Sequence, residues 1–219
     1  MIPEADAAFV CAMEAVLDVY ARPYDPAHPV VCLDEKRKQL VSETRTGFTD
    51  SRGVRHEDYE YERNGVGVLY MVCEPLGGRR EALVERSQDR LAWARTVRHL
   101  AEATYPEAER ITLVQDNLAA HKPSALYEIL PPERARAILE RLDIVHTPKH
   151  GSWLNIAEIE LSVLGRQALS QRIGGEAELR RVSAAWSRER TAAQKGVDWQ
   201  FTTADARTKL KRLYPTYSL

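Results

Sequence analysis

The chain has 219 residues, of which 44% are hydrophobic and 29% charged, and its formal net charge is −1. These are the proportions of an ordinary soluble globular protein. No apolar run approaches the ~18 residues of a transmembrane helix, and the N-terminus, with acids in its apolar pattern and no basic leader, is not a signal peptide. Cys11, Cys32 and Cys73 form no CxxC pair, which argues against a zinc site or a disulfide framework and for a reducing cytoplasm. The charge balance neither demands nor excludes nucleic acid, since a neutral protein can carry a local basic groove.

Residues 4–21 predict a helix, with Phe9, Met13, Val16 and Tyr20 recurring on one face. Pro23, Pro26 and Pro29 follow as a linker. Residues 30–33 (VVCL) predict a short buried strand that stops at Asp34 and Glu35, ahead of the basic triplet Lys36–Arg37–Lys38. Residues 42–62 are polar and predict a long loop or an excursion with an edge strand. Val66–Val72 and Ala82–Val84 predict two strands joined through Pro75 and Gly77–Gly78. Residues 89–104 predict an amphipathic helix with Trp93, Val97, Leu100 and Thr104 along one side.

Residues 111–115 (ITLVQ) form a short apolar run rich in β-branched residues, the pattern of a strand covered on both faces. Asp116 and Asn117 end it, since both favour turns. Pro123 can start a short helix through Leu130, and a second helix is predicted over 133–142. Residues 144–147 predict a last short strand. Helices follow over about 156–170, 176–194 and 204–213, the last with Thr202 and Asp205 as a variant capping box. Alternating strands and helices in the second half mean crossovers and parallel pairing, and the hairpin in the first half means antiparallel pairing. The fold class is α/β, a mixed sheet with helices on both faces. Its expected parts are an N-terminal helix and linker (1–29), a core (30–170) and a helical tail (171–219).

Three acids fall at matching places. Asp34 follows the first strand, Asp116 follows the central strand, and Glu158 opens the helix after the last one. If the first and central strands are adjacent and parallel, Asp34 and Asp116 emerge at one edge, where α/β folds place ligands. Crowded carboxylates repel and need a cation, and a donor set of oxygens alone favours Mg²⁺ or Mn²⁺. Two such ions ~3.5–4 Å apart activate a water or a 3′-hydroxyl in phosphodiester chemistry. Taken singly, Asp34 and Asp116 read as turn residues and Glu158 as part of its own helix cap. Glu160 is a rival third ligand, but two helical positions put it nearly opposite Glu158. Glu35 likewise points to the other face of its strand from Asp34.

The blocks VCLDE, LVQDNLAAHK and TPKHGSWLNIAEIELS resemble the catalytic blocks of bacterial insertion-sequence transposases of the DDE superfamily, in the branch related to mariner elements. The resemblance runs through nearly the whole chain, and LN-x-x-E is its specific part. It implies an RNase H-like fold with N- and C-terminal helical extensions. It also implies cleavage of DNA at element ends and joining of the 3′-OH to target DNA, with Asp34, Asp116 and Glu158 as the catalytic and metal-ligating triad for Mg²⁺ or Mn²⁺, two ions in all. DNA is then the partner, and a homodimer working in the bacterial nucleoid is the expected form, with no membrane involved.

Two departures stand out. Asp116 and Glu158 lie further apart than in mariner relatives, through the helices at 123–142. Only one helix precedes Asp34, where helix-turn-helix modules are usual. The expectation is therefore a split frame with a separately encoded helix-turn-helix subunit, or a truncated remnant. Candidate DNA contacts are Lys36, Arg37, Lys38, His121, Lys149 and Trp153. Each has a plainer reading: solvated charge, a helix-start polar group for His121, loop packing for Trp153. Functional alternatives are an RNase H-like nuclease without strand transfer and a non-catalytic inhibitor of transposition.

Overall fold

The strand that starts at Val30 runs much further than its apolar head predicts. In the computed structural model, which describes residues 6–43, 48–49, 51–53, 55–56, 60–193 and 195–216, β1 spans Val30–Glu43. Asp34 and the basic triplet therefore lie inside the strand, not after it. Backbone pairing holds this polar half: β1 is antiparallel to β4 (Tyr61–Cys73) along almost its whole length. The excursion predicted over 42–62 is the far end of this hairpin. Two two-residue strands, β2 (Phe48–Thr49) and β3 (Arg55–His56), pair within it, while 44–47, 50, 54 and 57–59 lie outside the described residues.

β5 (Arg80–Glu85) completes the antiparallel side. On the other side β1 pairs in parallel with β6 (Ile111–Gln115), and β6 with β7 (Leu142–His146). The sheet order is β5-β4-β1-β6-β7.

Period-two alternation splits the buried residues between the two faces. Cys32, Leu69, Met71 and Val114 pack on one side. Val31, Leu33, Tyr70 and Leu113 pack on the other. The second face is covered by α2 (Arg90–His99), α3 (Leu126–Ile129) and α4 (Pro132–Glu140). α2 runs on as a π-helical turn, Leu100–Thr104, so the single helix predicted over 89–104 changes its winding near its end.

The first face is covered by α1 (Ala7–Tyr20), α5 (Ile156–Gln167), α6 (Glu176–Ala192) and α7 (Thr203–Lys209). Met13, Leu17 and Tyr20 of α1 share one apolar cluster with Leu161, Leu179 and Ala206. Arg207 reaches back to Glu14 through two hydrogen bonds of 2.9 and 2.8 Å. α1 and α7 thus both belong to the layer that carries α5.

An exposed edge strand invites pairing with another chain. At β5, α6 blocks this. Ser187 Oγ accepts from the Ala82 N–H at 2.9 Å. Thr191 Oγ1 accepts from the Arg80 N–H at 3.0 Å and donates to the Arg80 carbonyl at 2.8 Å.

Candidate active site

Parallel pairing of β1 with β6 brings Asp34 and Asp116 to one edge of the sheet. A tight loop returns the chain from β7 over that edge. The Thr147 N–H bonds the Gln115 carbonyl at 2.9 Å, and the Gly151 N–H bonds the Pro148 carbonyl at 2.9 Å. Gly151 is required by that turn, because a Cβ there would meet Pro148 Cγ at 2.5 Å. A 3₁₀ turn, Ser152–Leu154, then leads into α5.

Two buried side chains fix where α5 starts. Tyr20 donates its hydroxyl to the Leu154 carbonyl at 2.6 Å. Asn155 caps α5 by accepting from the Ala157 N–H at 3.1 Å, and its amide donates to the Leu33 carbonyl at 3.0 Å. Leu33 precedes Asp34, and Glu158 sits in the first turn of α5. Asn155 therefore sets the distance between two of the three acids. Asn155→Ser, which keeps an oxygen for the cap but loses the donor, is expected to leave the fold intact. It should lower catalysis up to about 10²-fold, the scale of a 1 Å misplacement. Asn155→Ala is expected to cost about 1 kcal/mol more stability through the lost cap. Paired urea melts and turnover measurements check both, and equal turnover for wild type and both variants would remove Asn155 from the site.

Asp34, Asp116 and Glu158 line one cleft of roughly 650 Å³, together with Lys36, Lys149 and Asn155. Burial, then the neighbouring carboxylates Glu35, Asp116 and Glu158, push the Asp34 carboxyl up to about 7, against one hydrogen bond from the Glu35 N–H. A carboxyl in that state gains from a cation brought among its neighbours. The three acids offer oxygen donors, which fit a hard divalent ion. Among the described residues, no three His, Cys, Asp or Glu side chains already stand grouped tightly enough to hold an ion.

Asp116 is held from below. Its Oδ1 takes the Leu118 N–H at 3.0 Å and lies 3.1 Å from His121 Nδ1. His121 Nε2 lies 3.2 Å from Glu35 Oε2. Burial opposes the imidazolium, but hydrogen bonds to Asp116 and Glu35 outweigh it and raise His121 to about 9. In turn His121, despite partial burial, holds the Asp116 carboxyl below its ordinary range. Gln88 donates to Glu35 at 2.9 Å, and the Trp93 ring stacks on His121 at 6.0 Å.

The other candidates are dispersed. The His121 side chain is 1% exposed, so it lies under the acids and not on the open surface of the cleft. Lys36 and Lys149 line the cleft. Arg37 donates Nε to Gln88 at 2.9 Å. Lys38 places its ammonium on the Leu169 and Gln171 carbonyls at 2.8 and 3.4 Å, at the end of α5. Trp153 is 43% exposed and meets Phe201 edge-on at 6.0 Å. Glu35 joins the acid network from the opposite face, through His121. Its identity as an acid next to Asp34 was visible in the sequence, but its contact spans 86 positions. Glu160, the rival to Glu158, is buried against Arg80 and Arg190, away from the cleft.

A model of the DDE superfamily endonucleases matches residues 29–180. Similar solved structures include the Mos1 mariner paired-end complex with Mn (18% identity, TM-score 0.52, 94% of this chain and 58% of that one). The Mos1 strand transfer complex is 16% identical, with TM-score 0.53 over 94% of this chain and 57% of that one. The Mos1 paired-end complex with the left transposon end is 16% identical, with TM-score 0.53 over 97% and 63%. At this identity the likeness is one of fold, the RNase H-like α/β architecture. This chain spans about three-fifths of those proteins' length. No curated protein matches the chain. Among the described residues no helix is long and apolar enough to cross a membrane.

Proposed function

Because the chain belongs to the DDE superfamily of endonucleases, whose chemistry uses divalent metal ions, we propose that it is a transposase catalytic domain that cuts DNA at element ends and joins the freed 3′-OH to target DNA. The observation that carries this reading is the cleft itself: Asp34, Asp116 and Glu158, from three separate elements, line one hollow. In the proposal these three carboxylates hold two Mg²⁺ or Mn²⁺ ions. Once bound, such ions supply the Lewis acidity that activates a water or a 3′-hydroxyl and stabilises the leaving oxygen.

The protein's own groups divide the remaining work. His121 and the Leu118 N–H engage Asp116 Oδ1 and hold the carboxylate in place, from where Asp116 would help to hold an ion. Asn155 holds Glu158 opposite Asp34. Lys36 and Lys149 receive phosphate oxygens, and the exposed face of Trp153 is offered to a base. DNA, a second copy of the chain as a homodimer, and a separately encoded helix-turn-helix subunit are the proposed partners, with the bacterial nucleoid as the site of action.

The test pairs nicking of supercoiled plasmid with joining of a labelled 3′-OH oligonucleotide, in Mg²⁺, Mn²⁺ or EDTA. Metal-dependent nicks and joined products are expected. Nicks without joined products would leave the nuclease reading in place. Nicking unaffected by EDTA would overturn the metal assignment. An independent readout is thermal unfolding: Mn²⁺ is expected to raise the midpoint of the wild type and not that of Asp34→Asn.

A further inference from the structure

Beside the carboxylate cleft lies a second groove of about 280 Å³, between the polar half of β1 and the C-terminal half of α5. Lys36, Leu161 and Ser162 line both hollows, so the two are direct neighbours. The floor is apolar and buried, made by Leu69, Leu161 and Leu169. Its charged lining is entirely basic: Lys36, Arg37 and Lys38 from β1, and Arg166 from α5.

Elsewhere on the surface many arginines are matched to carboxylates, as in Arg90–Glu128, Arg134–Glu102 and Arg207–Glu14. Among the described residues, Lys36 and Arg166 have no acidic partner, and no carboxylate lines the groove. Lys38 is used by the fold, on the carbonyls at the end of α5. Arg37 commits only Nε, to Gln88.

Gly165 adds a second observation. It lies inside α5, where glycine costs about 1 kcal/mol against alanine. Its φ is not positive, and a Cβ built on it would meet nothing within 4 Å. Nothing inside the protein asks for a glycine there. The open helix surface faces the same groove as the unmatched cations.

We infer that this groove carries the sugar–phosphate backbone of one DNA strand as it leaves the carboxylate cleft, with Lys36 and Arg166 each contacting a phosphate and Gly165 allowing the backbone to lie close to α5. The inference rests on the proposal that the cleft acts on DNA. Cations on a DNA strand's phosphates position the strand and carry no sequence information directly. Each phosphate contact releases counterions, which gives the proposal a quantitative signature.

The experiment measures binding of a fluorescein-labelled DNA duplex to the full chain by anisotropy, in EDTA so that no cutting occurs, over a series of salt concentrations. Arg166→Gln and Lys36→Gln are compared with Arg136→Gln, an exposed arginine on the other face of the sheet that pairs with Glu140. Each groove variant is expected to lower the slope of log K against log salt by about 0.9, the effect of one lost phosphate contact. Arg136→Gln is expected to match the wild type. For Arg166→Gln, nicking in Mg²⁺ should show a raised KM with kcat unchanged. Lys36 also lines the cleft, so Arg166→Gln decides: if the wild type binds and nicks DNA while Arg166→Gln keeps its slope and KM, the groove inference is overturned and the proposed function stands. If the wild type neither binds nor nicks DNA, the proposed function falls and takes this inference with it.

Discussion

Asp116→Asn and Glu158→Gln are each expected to lower Mg²⁺-dependent nicking by at least about 10³-fold while leaving the protein folded. Both substitutions keep shape and remove charge. Lewis-acid stabilisation of a phosphoryl transition state is worth several kcal/mol, and about 4 kcal/mol corresponds to 10³ in rate. The fold has little at stake in Glu158, which is exposed and without a side-chain partner among the described residues. Asp34→Asn should lose activity in the same way, yet it should stabilise the metal-free protein near pH 8. The folded Asp34 carboxyl sits at about 7, held up first by burial and then by its acidic neighbours. The unfolded carboxyl titrates near 4. Above that unfolded value the native state binds the extra proton, so stability falls as pH rises from about 4 to about 7. Asparagine removes that loss at pH 8 and has nothing to remove below about pH 4. Nicking assays and thermal melts in EDTA at the two pH values check this. Wild-type nicking by Asp116→Asn would end the assignment of the triad.

The parts of this site that lay in single blocks of sequence were readable, and those built by distant contacts were not. ITLVQ is apolar because β6 is covered on both faces, so its length and its ending on Asp116 could be read directly. The apolar pattern of β1 ends after four residues, because DEKRK carries none. Its outer half is held by backbone pairing to β4, which leaves no trace in composition. Alternation correctly sent Glu35 away from Asp34, but no local signal says that the opposite face holds His121. Asn155 could be read as a cap from its place before a helix. Its amide on the Leu33 carbonyl depends on the crossover that lays α5 against β1. Tyr20 likewise looked like one more apolar residue of a leading helix, whereas its hydroxyl fastens the loop before α5. Met13, Leu161 and Ala206, one from each expected part of the chain, share one apolar cluster, a long-range contact that no local pattern announces.

Glu160→Ala is expected to destabilise the protein by about 3–5 kcal/mol, the range for removing one partner of a buried ion pair. Glu160 is 4% exposed and stands between two arginines. Arg80 Nε lies 3.2 Å from its Oε1, and Arg190 Nη2 lies 3.0 and 2.9 Å from its two oxygens. Arg80 belongs to β5, Glu160 to α5 and Arg190 to α6, so the carboxylate ties three elements of one layer. Its loss strands the Arg80 guanidinium, itself 4% exposed, with only the Lys195 carbonyl at 2.7 Å. Typical domains are stable by 5–15 kcal/mol in all, so the deficit would be plain in a urea melt. The triple variant Glu160→Met, Arg80→Met and Arg190→Met is expected to recover much of it, because replacing all three charges with apolar groups leaves no unmatched buried ion. Glu158 and Glu160 would then part company in opposite experiments: the first abolishing turnover at unchanged stability, the second unfolding the layer on which the first is mounted. A Glu160→Ala protein with a wild-type urea midpoint would mean that β5, α5 and α6 do not depend on this carboxylate.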